Sequence, residues 1–260
     1  MDGNRVWRVE TPDGPVLQKL YGERGGCLHA LAREVASRIR DGKTSTLAAG
    51  RRATERRLLE LWRNHGFDVP RDITRSHPDL ANDRTLILEF VPGRLLSQVL
   101  GDRPTDAESD AESRTALLRR FATEWGRRHR VALDHGEAGL VQEHGGFLHV
   151  IVSGDRLVTF DLENAFRPRK DLTPILAKEI AAYVRSLAKL SGPDRFEDDL
   201  RTLVAAYPER PLLEATVRHY LENDRFLWRV IWAIDQRREA RRGRRHGKFA
   251  ALRALASVLA

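Results

Sequence analysis

GLVQEHGGFLHVIVSGDRLVTFDLE, residues 139–163, contains a β-hairpin signal that ends in an aspartate. Two short apolar runs, Val150–Val152 and Leu157–Phe160, flank a polar turn at 153–156, a pattern typical of paired strands. Asp161 follows the second run directly. Because that run is apolar throughout, we expect its C-terminal end to lead from a buried core into a cleft, where a carboxylate suits magnesium. A turn-forming aspartate is the alternative.

The loop ahead of this hairpin places two histidines five positions apart, His144 and His149. In phosphoryl-transfer loops an aspartate base is followed five positions later by a metal ligand. The spacing therefore predicts His144 as a general base, since imidazole can accept a proton near neutral pH. It predicts His149 as a contact of the metal or of a phosphate. Glu143 is the rival base, and Glu163 could share the metal. Hydrogen-bonded structural histidines are the alternative, and a zinc site is not indicated.

A lysine and a glutamate earlier in the chain form a second candidate pair. Lys19 lies within the apolar strand 16–21, and Glu55 shares a predicted helix face with Trp62, seven positions on. A carboxylate on an apolar helix face needs a partner, and in kinases that partner is a strand lysine that orients nucleotide phosphates. The alternatives are an edge-strand lysine that blocks aggregation and a surface pair of Glu55 with Arg51.

The run Leu86–Val91 is typical of a buried strand, and Pro92-Gly93 ends it. Backbone groups freed at this exit, around Glu89 and Val91, could bind the edge of an adenine base. A plain strand end is the alternative.

Composition restricts the class of protein. The chain has 260 residues, 41% of them hydrophobic, enough for one two-lobed domain or two small ones. A single cysteine, Cys27, excludes an internal disulfide and suits a reducing compartment. We see neither a signal-peptide core nor an apolar run of the roughly 20 residues that a membrane span needs. The net charge of +8, mostly from arginine, favours phosphates or anionic surfaces as partners.

The predicted elements are strands early in the chain and helices later. Residues 6–9 and 16–21 form a hairpin, and a helix spans 46–65. An acidic, solvated loop at 105–113 leads into a helix at 114–130. Further helices are predicted at 173–190, 195–207, 211–223, 225–241 and 246–259.

These motifs resemble those of the protein-kinase-like fold and occur in the same order: Lys19, Glu55, the EFVPG strand exit, the two histidines and Asp161. The chain is most similar to the small bacterial lipopolysaccharide core kinases, which phosphorylate Kdo or heptose sugars. It also resembles small atypical kinases associated with tRNA modification. The resemblance covers roughly residues 5–190.

The resemblance extends to two loops. The catalytic loop of these kinases reads H-x-D-x-x-x-x-H, and His149 matches its last histidine. Gln142 and His144 stand where the family has His and Asp. The sequence RKDL at 169–172 resembles the family's K-D-L, which implies that Asp171 supports the catalytic loop.

The chain departs from the family in three places. Only Gly3 is available ahead of the first strand for a glycine-rich phosphate loop, so we expect that the first strand is missing or that the start lies upstream. His144 replaces the catalytic aspartate. Only 11 residues separate Asp161 from Thr173, a short activation segment of the kind usual in atypical kinases. The first two departures bear on catalysis more than on fold.

The resemblance implies an α+β, two-lobed protein-kinase-like fold, with a small β-rich N-lobe at 1–93 and a mainly helical C-lobe at 94–260. It implies a phosphotransferase that uses ATP and magnesium and acts on a hydroxyl of a lipopolysaccharide-type sugar, either small or lipid-linked. Such an enzyme would be cytoplasmic, with peripheral contact at the inner face of the membrane.

Two other functions stay open. A pseudokinase, or an atypical Ser/Thr protein kinase-like regulator, would bind nucleotide or a partner without transfer. A binder of nucleic acid or anionic surfaces would use the segment 237–246, which holds six arginines and one acid. Apolar residues at helical spacing follow this segment and predict either a docked terminal helix or an anchor for an anionic membrane or RNA.

Overall fold

The N-terminal hairpin predicted from the sequence belongs to a three-stranded antiparallel sheet. The computed structural model describes residues 4–22, 42, 44, 47–101, 107–222, 233, 237 and 247–260. Strands β1 (Arg5–Thr11), β2 (Gly14–Leu20) and β3 (Thr85–Glu89) follow the order β1–β2–β3. Lys19 lies on β2, the central strand, and is buried. The edge-strand interpretation of Lys19 is therefore wrong.

Helix α1 (Ala48–Asn64) matches the helix predicted at 46–65 to within two residues at each end. Its apolar positions recur at helical spacing, so that Leu58 and Trp62 are buried on one face. The indole of Trp62 donates a hydrogen bond to the carbonyl of Gly139 at 2.9 Å. This bond fixes the chain ahead of the catalytic-loop candidates against α1.

The central hairpin forms as the sequence predicts. Strand β5 (Val150–Ser153) pairs antiparallel with β6 (Arg156–Thr159), and a short β4 (Arg94–Leu95) completes a second sheet in the order β4–β5–β6. The amide of Phe160 donates to the carbonyl of His149 at 3.0 Å. The two ends of the hairpin are therefore held together at the point where Asp161 follows.

Gly93, between β3 and β4, occupies a position where this fold requires glycine. Its φ is +148°, and a Cβ there would lie 2.2 Å from the carbonyl oxygen of Val152 and 2.8 Å from Cγ2 of Ile151. Backbone conformation and space both exclude a side chain.

We expect Gly93→Ala to lower the free energy of unfolding by roughly 1–3 kcal/mol beyond the cost of its backbone conformation, because a backbone oxygen must move. The matched control is Gly154→Ala in the β5–β6 turn, where φ is +60° and an added Cβ meets nothing within 4 Å. That variant carries only the conformational cost of about 1–2 kcal/mol. Urea unfolding followed by tryptophan fluorescence measures both, and equal losses would contradict the packing argument.

The helices that follow in the chain are α2 (Leu96–Gly101), α3 (Ala107–His135), α4 (Thr173–Ala206), α5 (Arg210–Leu221) and α6 (Lys248–Leu259).

An aromatic core joins these helices to the catalytic-loop candidates at 144–148. The ring centroids of Phe121 and Trp125 on α3 lie 5.1 and 5.0 Å from that of Tyr183 on α4. Phe147 lies 4.9 Å from Phe121. Since all four rings are buried, Phe147 anchors this loop segment in the core of its unit.

One expectation about the helices needs correction. The acidic stretch predicted as a loop at 105–113 is helical from Ala107 onward, because acidic residues are favoured in the first turns of a helix by its dipole. The two helices predicted at 173–190 and 195–207 are both present within α4, where a kink at Gly192, whose non-helical φ is +69°, separates them. The helix predicted at 225–241 lies outside the described residues, apart from two single positions.

The terminal helix α6 buries Phe249, Leu252 and Leu255 and contacts α4 and α5. These contacts support the docked-helix interpretation of its apolar face. The arginine-rich segment 237–246 lies outside the described residues, except for Arg237.

The contacts of the chain divide it into two compact units. The first comprises Met1–Arg94, Gly136–Glu143 and His149–Arg169; the second comprises Leu95–His135, His144–Leu148 and Lys170–Ala260. The lobe bounds at 1–93 and 94–260 stay a prediction. Among the described helices, none combines the length and the apolarity needed to cross a bilayer.

Candidate functional site

Lys19 is the centre of a buried charge cluster in the first compact unit. Its ammonium lies 2.6 Å from Oε2 of Glu55, 2.6 Å from Oδ1 of Asp161 and 3.6 Å from Oε2 of Glu163. The pair with Glu55, expected from the sequence, is therefore present. The same lysine also contacts the aspartate that follows the hairpin.

Burial and charge act in opposite directions on the pKa values of Lys19 and Glu55, and in the same direction on that of Tyr21. Burial alone would lower the pKa of Lys19, but the carboxylates of Glu55, Asp161 and Glu163 outweigh it, and the pKa rises. Burial raises the pKa of Glu55, and Lys19 opposes that rise. The hydroxyl of Tyr21 donates to Oε2 of Glu55 at 2.5 Å, and burial followed by this carboxylate raises the pKa of Tyr21. Lys19 thus stays charged and Tyr21 stays a donor at neutral pH.

Asp161 follows β6 with its side chain 37% exposed. Its φ is +64°, a left-handed conformation that costs a residue other than glycine about 1–3 kcal/mol. Oδ1 faces Lys19, while Oδ2 lies 3.7 Å from Nδ1 of His149. The hairpin therefore brings together two of the residues predicted to hold a metal.

Glu163 contacts a second cation, Arg51 of α1. Nη1 of Arg51 lies 3.2 Å from both carboxylate oxygens of Glu163 and donates to Oδ1 of Asn4 at 2.6 Å. Arg51 also donates to the carbonyl of Gly22, and the amide of Asn4 donates to Glu163. The sequence left Arg51 as a rival partner of Glu55. The structure pairs it with Glu163, one helical turn from the Lys19–Glu55 pair.

The three carboxylates form a donor set that fits a magnesium ion. One oxygen from each of Glu55, Asp161 and Glu163 lies within 4.8 Å of the others, and hard oxygen donors are what magnesium prefers. Among the residues that the structure describes, these three carboxylates face the two cations Lys19 and Arg51. Asp161, at 37% exposure, is far more accessible than Glu55 at 1% and Glu163 at 4%.

The strand exit after β3 is held by Arg71. The carboxylate of Glu89 accepts a hydrogen bond from Nε of Arg71 at 3.0 Å, and the amide of Glu89 donates to the carbonyl of Arg71 at 2.9 Å. Val91 is buried. An adenine contact at this exit stays a prediction.

The remaining predicted residues lie in different places. Glu143 is buried in the first unit, whereas His144 is exposed and belongs to the second. Asp171, also in the second unit, accepts a hydrogen bond from the amide of Thr173 at 2.9 Å and so forms an Asx turn directly ahead of α4. The catalytic roles of these residues stay predictions.

Roles for Tyr21 and Asn4 were not predicted from the sequence, and Arg51 entered only as the alternative partner of Glu55. Tyr21 lies two residues from Lys19 in extended chain, and period-two alternation places both on one face. Arg51 lies four residues before Glu55, so helical spacing places it on the same face. Local patterns carried no signal for Asn4, which is 159 residues from its partner Glu163.

Neither a protein-family model nor a curated protein matches the sequence at a significant level. Among solved structures, the chain is similar to that of WaaP in complex with acyl carrier protein, with a TM-score of 0.51 and 18% identity. The similarity covers 82% of this chain and 78% of that one. At this identity the similarity concerns the fold alone. The mixture of three-stranded sheets and helices agrees with the expected α+β kinase-like fold.

Proposed function

We propose that this chain is a kinase-like phosphotransferase that uses ATP and magnesium and transfers the γ-phosphate to a hydroxyl of a lipopolysaccharide-type sugar. The observation that carries the proposal is the simultaneous contact of buried Lys19 with Glu55 and Asp161, both at 2.6 Å. Kinases orient the phosphates of ATP with a lysine on a strand. A glutamate on a helix holds this lysine in place, beside an aspartate that binds the metal.

The residues of this cluster would divide the work of binding. Lys19, kept charged by its carboxylates, would bind phosphate oxygens, while Glu55 and Tyr21 hold it in place. Asp161 would hold the metal, with His149 close to the metal or the γ-phosphate. Magnesium, when bound, neutralises the charge that develops on the transferred phosphoryl group.

For the base that accepts the hydroxyl proton we propose His144, with Glu143 as its rival. The exposure of His144 supports this order, because a base must reach the acceptor, whereas Glu143 is buried. Backbone groups at Glu89 and Val91 would contact adenine, and Asp171 would support the loop.

The fold comparison supports the choice of class. WaaP is a lipopolysaccharide core heptose kinase. The order of motifs in this sequence resembles that of the same class of kinases. The sugar acceptor, the two-lobed arrangement and a cytoplasmic location are proposed on the resemblance. Contact of the basic segment at 237–246 with an anionic membrane, or with nucleic acid, is a proposal from the sequence.

A nucleotide-binding pseudokinase is the second candidate. The observation that favours it is the histidine at position 144, where the family has its catalytic aspartate. Such a protein would bind magnesium and ATP through the same cluster without transfer.

Calorimetric titration with ATP, with and without magnesium, tests the proposal. We expect tighter binding with magnesium, and we expect Asp161→Asn to remove most of that difference because it replaces a charged oxygen ligand. The matched control is Asp155→Asn, the same chemical change at an exposed position in the β5–β6 turn, which should leave the difference intact.

Transfer itself is measured with ATP labelled in the γ-phosphate. Loss of the label to an acceptor, to water or to the protein would support the enzyme, whereas tight binding with no loss would favour the pseudokinase. If no nucleotide binds, both candidates are wrong.

A further inference from the structure

We propose that Arg51 and Glu163 form a positioning clamp that holds Asp161 ready for the metal, and that Glu163 acts through Arg51 rather than as a metal ligand. The inference rests on the proposed function, because it assigns a role within the same site. The clamp is defined as the ion pair of Arg51 with Glu163 together with their contacts to Asn4 and Gly22.

The ion pair of Arg51 with Glu163 is isolated from water. Arg51 is 0% exposed, and the side chain of Glu163 is 4% exposed. A buried ion pair is costly to desolvate and is retained only where its geometry and extra hydrogen bonds compensate. Here the extra bonds come from Asn4 and from the carbonyl of Gly22. Glu163 is therefore held from two sides by groups of the protein itself.

The backbone of Asp161 needs support from its neighbours. Its φ of +64° persists only if neighbouring residues over-determine it. One neighbour, Leu162, is buried, and the next, Glu163, is fixed to α1 through Arg51. The clamp thus ties down the chain two residues beyond the strained aspartate, which keeps its carboxylate facing Lys19.

The carboxylate oxygens of Glu163 already face a cation of the protein. Both oxygens lie 3.2 Å from Nη1 of Arg51, so a metal that used them would compete with a buried arginine for their lone pairs. Asp161 is the most exposed carboxylate of the cluster, and a metal can approach it without that exchange. Groups that orient a ligand in this way change metal affinity by about 10–100-fold when they are removed.

The test is a double-mutant cycle on the magnesium enhancement, defined as the ratio of ATP affinities measured by calorimetry with and without magnesium. We expect Glu163→Gln and Arg51→Met each to lower the enhancement about tenfold. We expect the double variant to lower it no further, because both changes break one interaction. Affinity for metal-free ATP should fall by a smaller factor than affinity for ATP with magnesium, whereas a merely structural defect would lower both by the same factor. Arg51→Lys, which keeps the charge but loses the planar fork, should fall between and serves if Arg51→Met does not fold.

The matched control is Arg56→Met on the same helix, which breaks the part-exposed pair with Asp72, at 2.8 Å, and should leave the enhancement unchanged. A loss with Glu163→Gln but none with either Arg51 variant would make Glu163 a metal ligand and overturn the clamp. Additive losses in the double variant would also overturn the clamp. So would an unchanged enhancement in every clamp variant while Asp161→Asn abolishes it. Both outcomes leave the proposed function standing. An Asp161→Asn variant that keeps the enhancement would remove the metal site and the clamp together.

Discussion

Replacing Lys19 with methionine is expected to lower the free energy of unfolding by roughly 3–5 kcal/mol at neutral pH, because Glu55 would stay buried without its compensating charge. Glu55 is 1% exposed and lies 2.6 Å from the lysine, so water cannot replace the lost partner. Urea unfolding followed by circular dichroism measures the change.

The deficit of this variant should depend on pH. Burial raises the pKa of Glu55 above the value near 4.5 of the unfolded chain. A carboxyl with a raised folded-state pKa favours the folded state below its unfolded pKa, and this contribution is lost as pH rises through the folded pKa. The loss in Lys19→Met should therefore shrink as the pH falls toward about 4.5, since a protonated Glu55 needs no cation.

The unmodified protein should lose stability at high pH. The carboxylates outweigh burial and raise the pKa of Lys19 above the value near 10.5 of the unfolded chain. Its contribution to stability is thus complete below about pH 10.5 and is lost as the pH rises through the folded pKa.

Two further variants decide whether the buried charge is the cause. Lys19→Met/Glu55→Gln should recover a large part of the loss, because the neutral amide can still accept the hydrogen bond of Tyr21. Arg71→Met, at an ion pair with Glu89 in which Arg71 is 66% exposed, should cost less than about 1 kcal/mol. A double variant as unstable as Lys19→Met would mean that packing of the lysine stem, not its charge, supports the fold.

Replacing His144 with alanine is expected to lower turnover of the γ-phosphate by roughly 10²–10⁴-fold, the usual contribution of a general base. Binding of magnesium and ATP should be unchanged, because the proposed nucleotide contacts lie elsewhere. The measurement is the rate of loss of labelled γ-phosphate, with calorimetry on the same samples. His135→Ala, at an exposed position nine residues earlier, is the matched control and should retain full turnover.

Variants of Glu143, the rival base, can contradict this prediction. If His144→Ala keeps full turnover and Glu143→Gln loses it, the register proposed for the loop is wrong. If neither variant changes the rate, a base from this loop is not part of the mechanism.

The local elements could be predicted because their signals are local. The hairpin after the histidines follows from two apolar β-branched runs around a polar turn, and α1 follows from apolar spacing that ends at Gly66. The acidic stretch near Ala107 was misassigned, because acidic residues are common both in solvated loops and in the first turns of helices. Composition alone cannot separate these two cases.

For the site, too, local sequence signals and tertiary contacts determined different features. By itself the sequence determined which groups had to find partners: a lysine inside an apolar strand, a glutamate on an apolar helix face and an aspartate at the end of an apolar strand. Only the tertiary structure decided which partner each group took. Lys19 contacts Glu55 and Asp161, 36 and 142 residues away, and Arg51 contacts Glu163, 112 residues away. The physical reason is that a buried charge needs an opposite charge at hydrogen-bond distance. Several positions in the sequence could have supplied that opposite charge. The packing of α1 against its strands determined which of these positions came within reach.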